Sequence, residues 1–283
     1  MTVFSTDQSW HPGELAPELE RRGVHSFWVP EHTHIPVSRR TPPPTGEDPL
    51  PEMYKRTLDP FVALSYAAAT TTTLRLGTGI LLPAQRDPII TAKEAATLDH
   101  LSGGRLDLGI GFGWNADELA SHGVAMKERR AVVEDRMRVM QELWGNEVGS
   151  YDGPHASVAP SWAWPKPAQT VTRDGVTRPG VPVHLGGVAS ETVFGHVVRY
   201  CQGWIPIGGA GLTEAIPALR RAVEAAGGDP DAVRVTTFGT LPTPEKLEHY
   251  ASIGVTECTL RLPSAGRDEI LRTLDGYARY LPG

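Results

Sequence analysis

Two histidines stand in a short segment that follows an apolar run. The run is His25–Val29, and the segment is Pro30-Glu31-His32-Thr33-His34. An imidazole gains and loses a proton near neutral pH, so His32 could hydrogen-bond a cofactor or move a proton at a reacting centre. Glu31 could hold that ring in one tautomer. We predict His32 and Glu31 as catalytic residues, and the alternative is that the histidines are ordinary loop residues.

The same segment also has the composition of an incomplete metal site. Two histidines two residues apart, with a neighbouring acid, could bind a metal ion. A further well-placed ligand is not evident, and the surrounding loop has no acidic cluster. We therefore expect no metal.

A double glycine stands between a strand-like run and a helix-like run. The segment is Leu185-Gly186-Gly187-Val188-Ala189-Ser190. Free backbone N–H groups and the positive end of the following helix favour an anion, and a serine hydroxyl adds a further donor. We predict that Gly186, Gly187, Ala189 and Ser190 bind a phosphate group.

Another glycine-rich segment approaches the dinucleotide pattern G-x-G-x-x-G. In Gly109-Ile110-Gly111-Phe112-Gly113-Trp114, the place of the third glycine is taken by Trp114. No acid ends a second strand about twenty residues later, so the dinucleotide pattern fails. We interpret Gly111 and Gly113 as positions where a flat ligand lies close to the backbone. The alternative is that small residues relieve crowding inside the fold.

The elements that must position these residues alternate between strand and helix. Each predicted strand is followed by a predicted helix, and the apolar spacing and the Gly and Pro punctuation set their bounds. The predicted strands cover residues 2–5, 25–29, 74–82, 106–110, 183–185, 203–207, 233–241 and 257–262. The predicted helices cover residues 12–22, 60–70, 88–102, 127–144, 190–200, 213–226, 244–253 and 267–280.

Eight such units predict an α/β protein, a single (β/α)8 TIM barrel over residues 1–283. An open Rossmann-like sheet with a cap is the alternative. Two inserts interrupt the rhythm. The Pro-rich stretch 35–57 cannot be helix or central strand and is typical of an active-site cover, and residues 145–180 form a second, irregular insert.

A barrel carries its chemistry on the loops that follow the strands. The glycines near Gly79, the segment 109–115 and the loop Gly208–Gly211 would then meet the histidine segment and the double glycine at one end of the barrel.

Composition and charge narrow the class of protein further. The chain has 283 residues, of which 40% are hydrophobic and 21% charged, which is typical of a globular protein. A net charge of -6 and the lack of a long basic run argue against nucleic acid. No apolar stretch is long enough to span a membrane, so we expect no membrane and a cytoplasmic location. Cys201 and Cys258 are expected to be reduced thiols.

Several motifs in combination resemble the bacterial luciferase-like flavin-dependent superfamily and, within it, the coenzyme F420-dependent oxidoreductases. They cover residues from about 4 to 210. The matching segments are 26–36 (SFWVPEHTHIP), 58–60 (LDP), 76–80 (LGTGI), 85–88 (QRDP), 96–105 (ATLDHLSGGR), 109–115 (GIGFGWN), 161–167 (SWAWPKP) and 203–207 (GWIPI).

The resemblance implies a TIM barrel that holds FMN or F420 at the ends of its strands. It places His32 beside the ring and the ring phosphate in the loop Gly186–Ser190, and it implies a non-proline cis peptide bond between Gly79 and Ile80 that bends the ring. The strand-end residues Gly79, Ile80, Gly111, Gly113 and Trp114 would contact the cofactor. In some F420-dependent dehydrogenases of the family an acid stands where this chain has Trp114, which argues against a sugar-phosphate dehydrogenase mechanism.

The resulting hypothesis is an oxidoreductase that transfers a hydride between coenzyme F420 and a small organic substrate. His32 would donate the proton, and the stretch 35–57 would be the lid. An FMNH2-dependent monooxygenase and a non-catalytic flavin-binding barrel are the alternatives. The aromatic residues of the two inserts suggest an apolar or aromatic substrate; they are Tyr54, Tyr151, Trp162 and Trp164. We also expect a homodimer.

Overall fold

A parallel sheet forms the centre of the structure, which is a computed structural model that describes residues 1–43, 46, 49–173 and 175–281. In chain order, the strands of this part are β1 Ser26–Val29, β2 Arg75–Leu81, β3 Leu106–Ile110, β4 Gly149–Asp152, β5 Ser157–Ser161, β6 Thr170–Arg173, β7 Val176–Pro179, β8 Val183–Gly187, β9 Gly203–Pro206, β10 Arg234–Thr240 and β11 Glu257–Leu260. Seven of them pair in the order β1-β2-β3-β8-β9-β10-β11, and every pairing in this sheet is parallel.

The first residues of the chain lie between the two outermost strands of this sheet. Thr2 bridges both Trp28 in β1 and Arg261 just after β11. Its N–H donates to the Leu260 carbonyl at 2.9 Å, and its carbonyl accepts from the Leu262 N–H at 2.9 Å. The sheet therefore closes into a TIM barrel as predicted, with a one-residue bridge where the sequence predicts an eighth strand over residues 2–5.

Helices cover the outside of the barrel. They are α1 Pro12–Arg21, α2 Glu52–Lys55, α3 Pro60–Ala69, α4 Pro88–Ser102, α5 Ala116–Ser121, α6 Arg129–Gly145, α7 Glu191–Tyr200, α8 Leu212–Ala225, α9 Pro244–Ser252 and α10 Arg267–Tyr277. Asp59 and Asp87 cap α3 and α4 ahead of a proline in the first turn, and Gly103 ends α4 with a φ of 74°. These are the start and stop signals on which the helix predictions depend. No helix in the described ranges is long and apolar enough to cross a membrane.

The inside of the barrel is packed with large side chains. Trp28 is fully buried there, and a Cβ atom at Gly77 would lie 2.1 Å from its ring. Only glycine can therefore stand opposite the indole. Outside the barrel, leucines such as Leu76 and Leu108 pack between the sheet and the helices.

Both inserts contain more regular structure than the sequence predicts. The stretch 35–57 includes the one-turn helix α2, although its residues 44, 45, 47 and 48 lie outside the described part of the chain. The turn forms because Pro51 precedes it and prolines are absent from its interior. The predicted irregular insert 145–180 instead folds into two antiparallel hairpins, β4–β5 and β6–β7, because short paired strands need only local contacts. Residue 174 lies outside the described part.

A group of charged side chains fills the end of the barrel where the strands begin. Asp107 is fully buried and bonds Arg75 at 2.7 Å, Arg234 at 3.0 Å and His184 at 3.2 Å. Arg234 also bonds Glu257 at 3.1 Å. Burial would raise the pKa of Asp107, but the hydrogen bonds and charges of His184 and Arg75 outweigh it and hold the pKa well below its ordinary value.

Candidate active site

His32 pairs with a carboxylate at the opposite end of the barrel, where the strands end, here called the mouth. β1 ends at Val29, and the next residues carry the chain over the mouth. The His32 Nδ1 atom lies 3.0 Å from Glu118 Oε1 in α5, and the two side chains are 7% and 1% exposed. A buried carboxylate on Nδ1 orients the ring and favours a proton on that atom, so Nε2 is left to face a ligand.

The predicted contact between Glu31 and His32 is wrong. The Glu31 carboxylate accepts from the Leu82 N–H at 2.6 Å and pairs with Arg86 at 2.5 Å. The two neighbouring side chains therefore have different partners, since His32 pairs with Glu118. Burial raises the pKa of Glu31, against the opposing effects of Arg86 and the Leu82 amide. Glu31 thus ties the segment after β1 to the end of β2.

Two aromatic side chains surround His32. The Tyr54 ring from α2 lies 5.2 Å from the imidazole, centroid to centroid, and the Trp114 ring lies 6.1 Å away on another side. Phe4 packs on Tyr54 at 4.9 Å. The predicted lid therefore brings one aromatic residue onto the predicted catalytic histidine.

The other aromatic residues of the inserts lie elsewhere. The Tyr151 hydroxyl donates to Asp135 of α6 at 2.8 Å, and the Trp164 carbonyl accepts from Lys93 of α4. The first contact places the Tyr151 side chain against α6, the second places the Trp164 backbone against α4, and the side chains of Trp162 and Trp164 are 77% and 55% exposed. Of the four aromatic residues expected to line a substrate pocket, Tyr54 is the one that contacts His32.

His34 has a different ring partner from His32. Its ring packs on His122 with centroids 5.3 Å apart, and burial, followed by the charge of His34, lowers the pKa of His122 against the opposing charge of Glu118. In the described ranges, no group of three His, Cys, Asp or Glu residues is arranged to hold a metal ion. His32 thus pairs directly with Glu118, whereas His34 packs on a second histidine near that carboxylate.

The peptide bond between Gly79 and Ile80 is cis, as predicted. The neighbouring glycines make room for side chains. A Cβ atom at Gly111 would lie 2.1 Å from Ile80 Cδ1, one at Gly186 would lie 3.1 Å from the same atom, and one at Gly79 would lie 2.6 Å from the Phe238 ring. All three glycines therefore relieve crowding inside the fold, which is the alternative given above for Gly111. Their contact with a ligand stays a prediction.

Gly113 and Trp114 have a different local role. Gly113 has a φ of 79°, which favours glycine, and it directs the chain from β3 toward α5. Asn115 then caps α5 through its side-chain oxygen. This turn brings both Trp114 and Glu118 next to His32.

The double glycine is part of β8, which runs two residues further than predicted, because Gly186 and Gly187 pair with Ile205 and Pro206 of β9. The residues after it lead onto the N-terminus of α7, as predicted. The Ser190 hydroxyl accepts from the Val193 N–H at 3.2 Å, so Ser190 is the N-cap. Within the part of the chain that the structure describes, the amides of Val188 and Ala189 donate no hydrogen bond. These free amides suit the predicted phosphate, and its binding by Gly186, Gly187, Ala189 and Ser190 stays a prediction.

Two buried amide side chains near the mouth were not singled out from the sequence. Asn115 is 0% exposed, and its Nδ2 atom has no hydrogen-bond partner among the described residues. Gln85, which follows β2, is 6% exposed, and its side-chain oxygen and nitrogen also lack a partner among those residues. Orphaned donors and acceptors of this kind fit a ligand with a polar ring edge, such as a flavin or deazaflavin. Asn115 and Glu118 have the spacing of a capping box, and this signal could have identified these two residues from the sequence. No comparable signal marks Gln85.

Comparison with known proteins decides the family. The family model described as luciferase-like monooxygenase matches residues 11–252. The chain belongs to this family. It is 40% identical over 284 residues to an uncharacterised protein of Mycobacterium tuberculosis strain H37Rv, covering 99% of this chain and 97% of that protein. It is 28% identical over 231 residues to an F420-dependent glucose-6-phosphate dehydrogenase of Kineococcus radiotolerans, covering 78% of this chain and 61% of that protein.

Two solved structures share the fold. An F420-dependent secondary alcohol dehydrogenase in complex with an F420-acetone adduct has a TM-score of 0.75 and 16% identity, with 99% of this chain and 97% of that chain covered. The monooxygenase RslO1 from Streptomyces bottropensis has a TM-score of 0.75 and 19% identity, with coverages of 96% and 92%. These luciferase-like folds agree with the TIM barrel of this chain.

Proposed function

We propose that this chain is an oxidoreductase that transfers a hydride between coenzyme F420 and a small organic substrate. The observation that carries the proposal is the buried His32–Glu118 pair at the mouth, 3.0 Å apart, in a family with F420-dependent members. A proton must move whenever a hydride reduces a carbonyl or oxidises an alcohol, and an imidazole held by a carboxylate suits that task.

Each residue of the site has a distinct task in this proposal. When bound, the deazaflavin donates or accepts the hydride. The ring would be held by the residues around the Gly79–Ile80 bond in β2, with its phosphate on the amides at Gly187–Ser190. His32 moves the proton at Nε2, and Glu118 orients the imidazole. Glu31 holds the segment that carries His32.

The surroundings of the mouth favour an apolar or aromatic substrate. Tyr54 and Trp114 flank His32 and limit access of water to it. Exposed apolar side chains follow the ends of two neighbouring strands: Val188 is 59% exposed and Ile207 is 53% exposed. An apolar reactant would cover these side chains and remove their surface from water.

The test is a pair of measurements on the purified chain. Titration with F420 and with FMN, each followed by absorbance, identifies the cofactor. Anaerobic single-turnover oxidation of reduced F420 by a panel of aldehydes, ketones and unsaturated aromatic compounds then tests hydride transfer. We expect tight binding of F420 and oxidation by at least one panel member. Binding of FMN alone, with substrate turnover that requires oxygen, would replace the proposal by the monooxygenase alternative. Binding of a cofactor without any turnover would favour the non-catalytic barrel.

We also propose a homodimer. The neighbouring helices α3 and α4 expose Val62, Tyr66 and Ile90 at 59%, 55% and 60%, an amount of apolar surface that association would bury. Sedimentation velocity should give a dimer, and Val62→Glu combined with Ile90→Glu should give a monomer. A wild-type monomer at micromolar concentration would contradict this proposal.

A further inference from the structure

A cavity lies beside the mouth, at the ends of β9 and β10. Its volume is about 310 Å³, roughly ten times the share of one water molecule in the liquid. Its lining includes the loop residues Gly208 and Gly209, and also Thr237, Phe238, Lys246 and Tyr250. The Phe238 ring packs edge-on against Trp28 inside the barrel at 5.1 Å, so this ring separates the cavity from the barrel interior.

The lining carries a positive charge without an acidic partner. Lys246 Nζ donates to the Leu241 carbonyl at 3.2 Å, and in the described ranges no carboxylate lies within salt-bridge distance of it. Glu214 and Glu245, in the first turns of α8 and α9, do not line the cavity. A ligand in the cavity would therefore meet the lysine and no opposing carboxylate.

A buried hydroxyl of the lining is also without a partner. Thr237 is 4% exposed, and its Oγ1 atom makes no hydrogen bond with any described residue. A buried unsatisfied hydroxyl costs stability unless a ligand or water completes it. Burial raises the pKa of Tyr250, so its phenol remains a hydrogen-bond donor at neutral pH.

The N-terminus of α8 meets the same cavity. This helix of 14 residues begins after Gly211, which has a φ of 74° and provides no side-chain cap. Leu212, its first residue, lines the cavity. The uncapped amides and the positive end of the helix macrodipole add to the charge of Lys246.

We propose that this cavity is an anion subsite that binds a phosphate or carboxylate group of the molecule reacting at the mouth. Lys246 supplies the charge, the first turn of α8 supplies backbone donors, and Thr237 and Tyr250 supply hydroxyl donors. The inference rests on the proposed function for what the anion is attached to. The anion belongs either to an acidic substrate or to a carboxylate in the side chain of F420.

Inorganic phosphate is the probe for the subsite itself, with binding followed by isothermal titration calorimetry. Lys246→Gln removes the charge and keeps most of the side chain, and Lys127→Gln is the matched control at an exposed lysine that does not line the cavity. Because a charge-assisted hydrogen bond contributes more than a neutral one, we expect Lys246→Gln to weaken one phosphate site on the order of tenfold. Thr237→Val should weaken the same site by a smaller factor. A second phosphate site at Gly187–Ser190 should persist in every variant.

Equal phosphate affinity and stoichiometry in the wild type, Lys246→Gln and Lys127→Gln would overturn the subsite, whatever the chain does with F420. A failure of F420 to bind, with the phosphate result as expected, would instead overturn the proposed function alone. Once phosphate binding is established, Lys246→Gln identifies the source of the anion. Weaker binding of F420, but not of a deazaflavin lacking the acidic side chain, assigns it to the cofactor. A raised KM for acidic substrates alone assigns it to the substrate.

Discussion

The two ends of the barrel differ in how fully their buried polar groups are paired. Where the strands begin, Asp107 has three partners, and Glu257 bonds Arg234 and accepts from the Ser26 hydroxyl. The exception in this group is His184 Nδ1, which makes no hydrogen bond with a described residue. At the mouth, Asn115 and Gln85 keep buried amide atoms without a hydrogen bond in the described part of the chain.

This difference separates stability from function within one sheet. Paired charges at the closed end leave little for a ligand to satisfy, and breaking a pair there should unfold the chain more easily. Unsatisfied polar groups at the mouth cost stability, and a ligand that bonds them would recover it. Substitutions at the mouth should therefore affect chemistry, whereas those at the closed end should affect unfolding.

The largest effect on the mouth side should come from His32→Ala. Loss of a general acid or base lowers the chemical step by about 100- to 10,000-fold, while the phosphate turn and hence cofactor affinity are left intact. Single-turnover oxidation of reduced F420 measures this step. His34→Ala is the control, because its ring packs on His122 and does not pair with Glu118. Near wild-type rates in His32→Ala together with slow rates in His34→Ala would assign proton transfer to His34 instead. Normal rates in both variants would show that neither histidine transfers the proton.

Asp107→Asn should have the largest effect on stability. It leaves the guanidinium groups of Arg75 and Arg234 without their shared carboxylate, and the side chains of these arginines are 22% and 30% exposed. We expect a loss of about 3 kcal/mol in the free energy of unfolding, measured by urea denaturation. Asp275→Asn, which removes a surface ion pair with Arg22, should cost less than about 1 kcal/mol. Similar losses in the two variants would contradict the comparison between the ends.

The stability difference between the wild type and Asp107→Asn should depend on pH. The folded-state pKa of Asp107 is held below its unfolded value of about 3.9, so its ionised form stabilises the folded chain above that pH. The contribution is lost as pH falls toward the folded-state pKa. The gap between the denaturation midpoints, measured at pH 7, 5, 4 and 3, should therefore stay constant down to about pH 4 and begin to narrow by pH 3. A constant or widening gap at pH 3 would show that charge at Asp107 is not the cause.

Glu118→Gln should have a smaller effect than His32→Ala, because Glu118 acts through the imidazole as a positioning residue. We expect the chemical step to slow by about 10- to 100-fold, in the range for residues that support a functional side chain. Glu118→Asp keeps a carboxylate and should recover part of the rate, measured by the same single-turnover oxidation. Equally slow rates in Glu118→Gln and Glu118→Asp would indicate a role in packing alone.

The order and type of the main elements could be predicted because their signals are local. Asp59 and Asp87 precede proline at helix starts, and alternation of Leu106, Leu108 and Ile110 marks β3. The hairpins in residues 145–180 were missed, because their strands are short and mostly exposed and lack a strong apolar pattern.

The candidate site was predicted in its backbone positions and less well in its partners. The placement of His32 after β1, the cis bond at Gly79–Ile80 and the start of α7 at Ser190 all depend on residues next to one another in the chain. Glu118, which holds His32, is 86 residues away.

The sequence by itself determined the repeating strand and helix units, their caps and the strand ends that carry the glycines and His32, because periodicity and punctuation act over a few residues. Only the tertiary structure decided which carboxylate holds His32, which aromatic rings surround it and which cavity contains Lys246. Closure of the barrel brings loops from different strands together at one end, and side-chain direction then selects Glu118 over the neighbouring Glu31. Such contacts join residues far apart in the chain, and no local pattern specifies them.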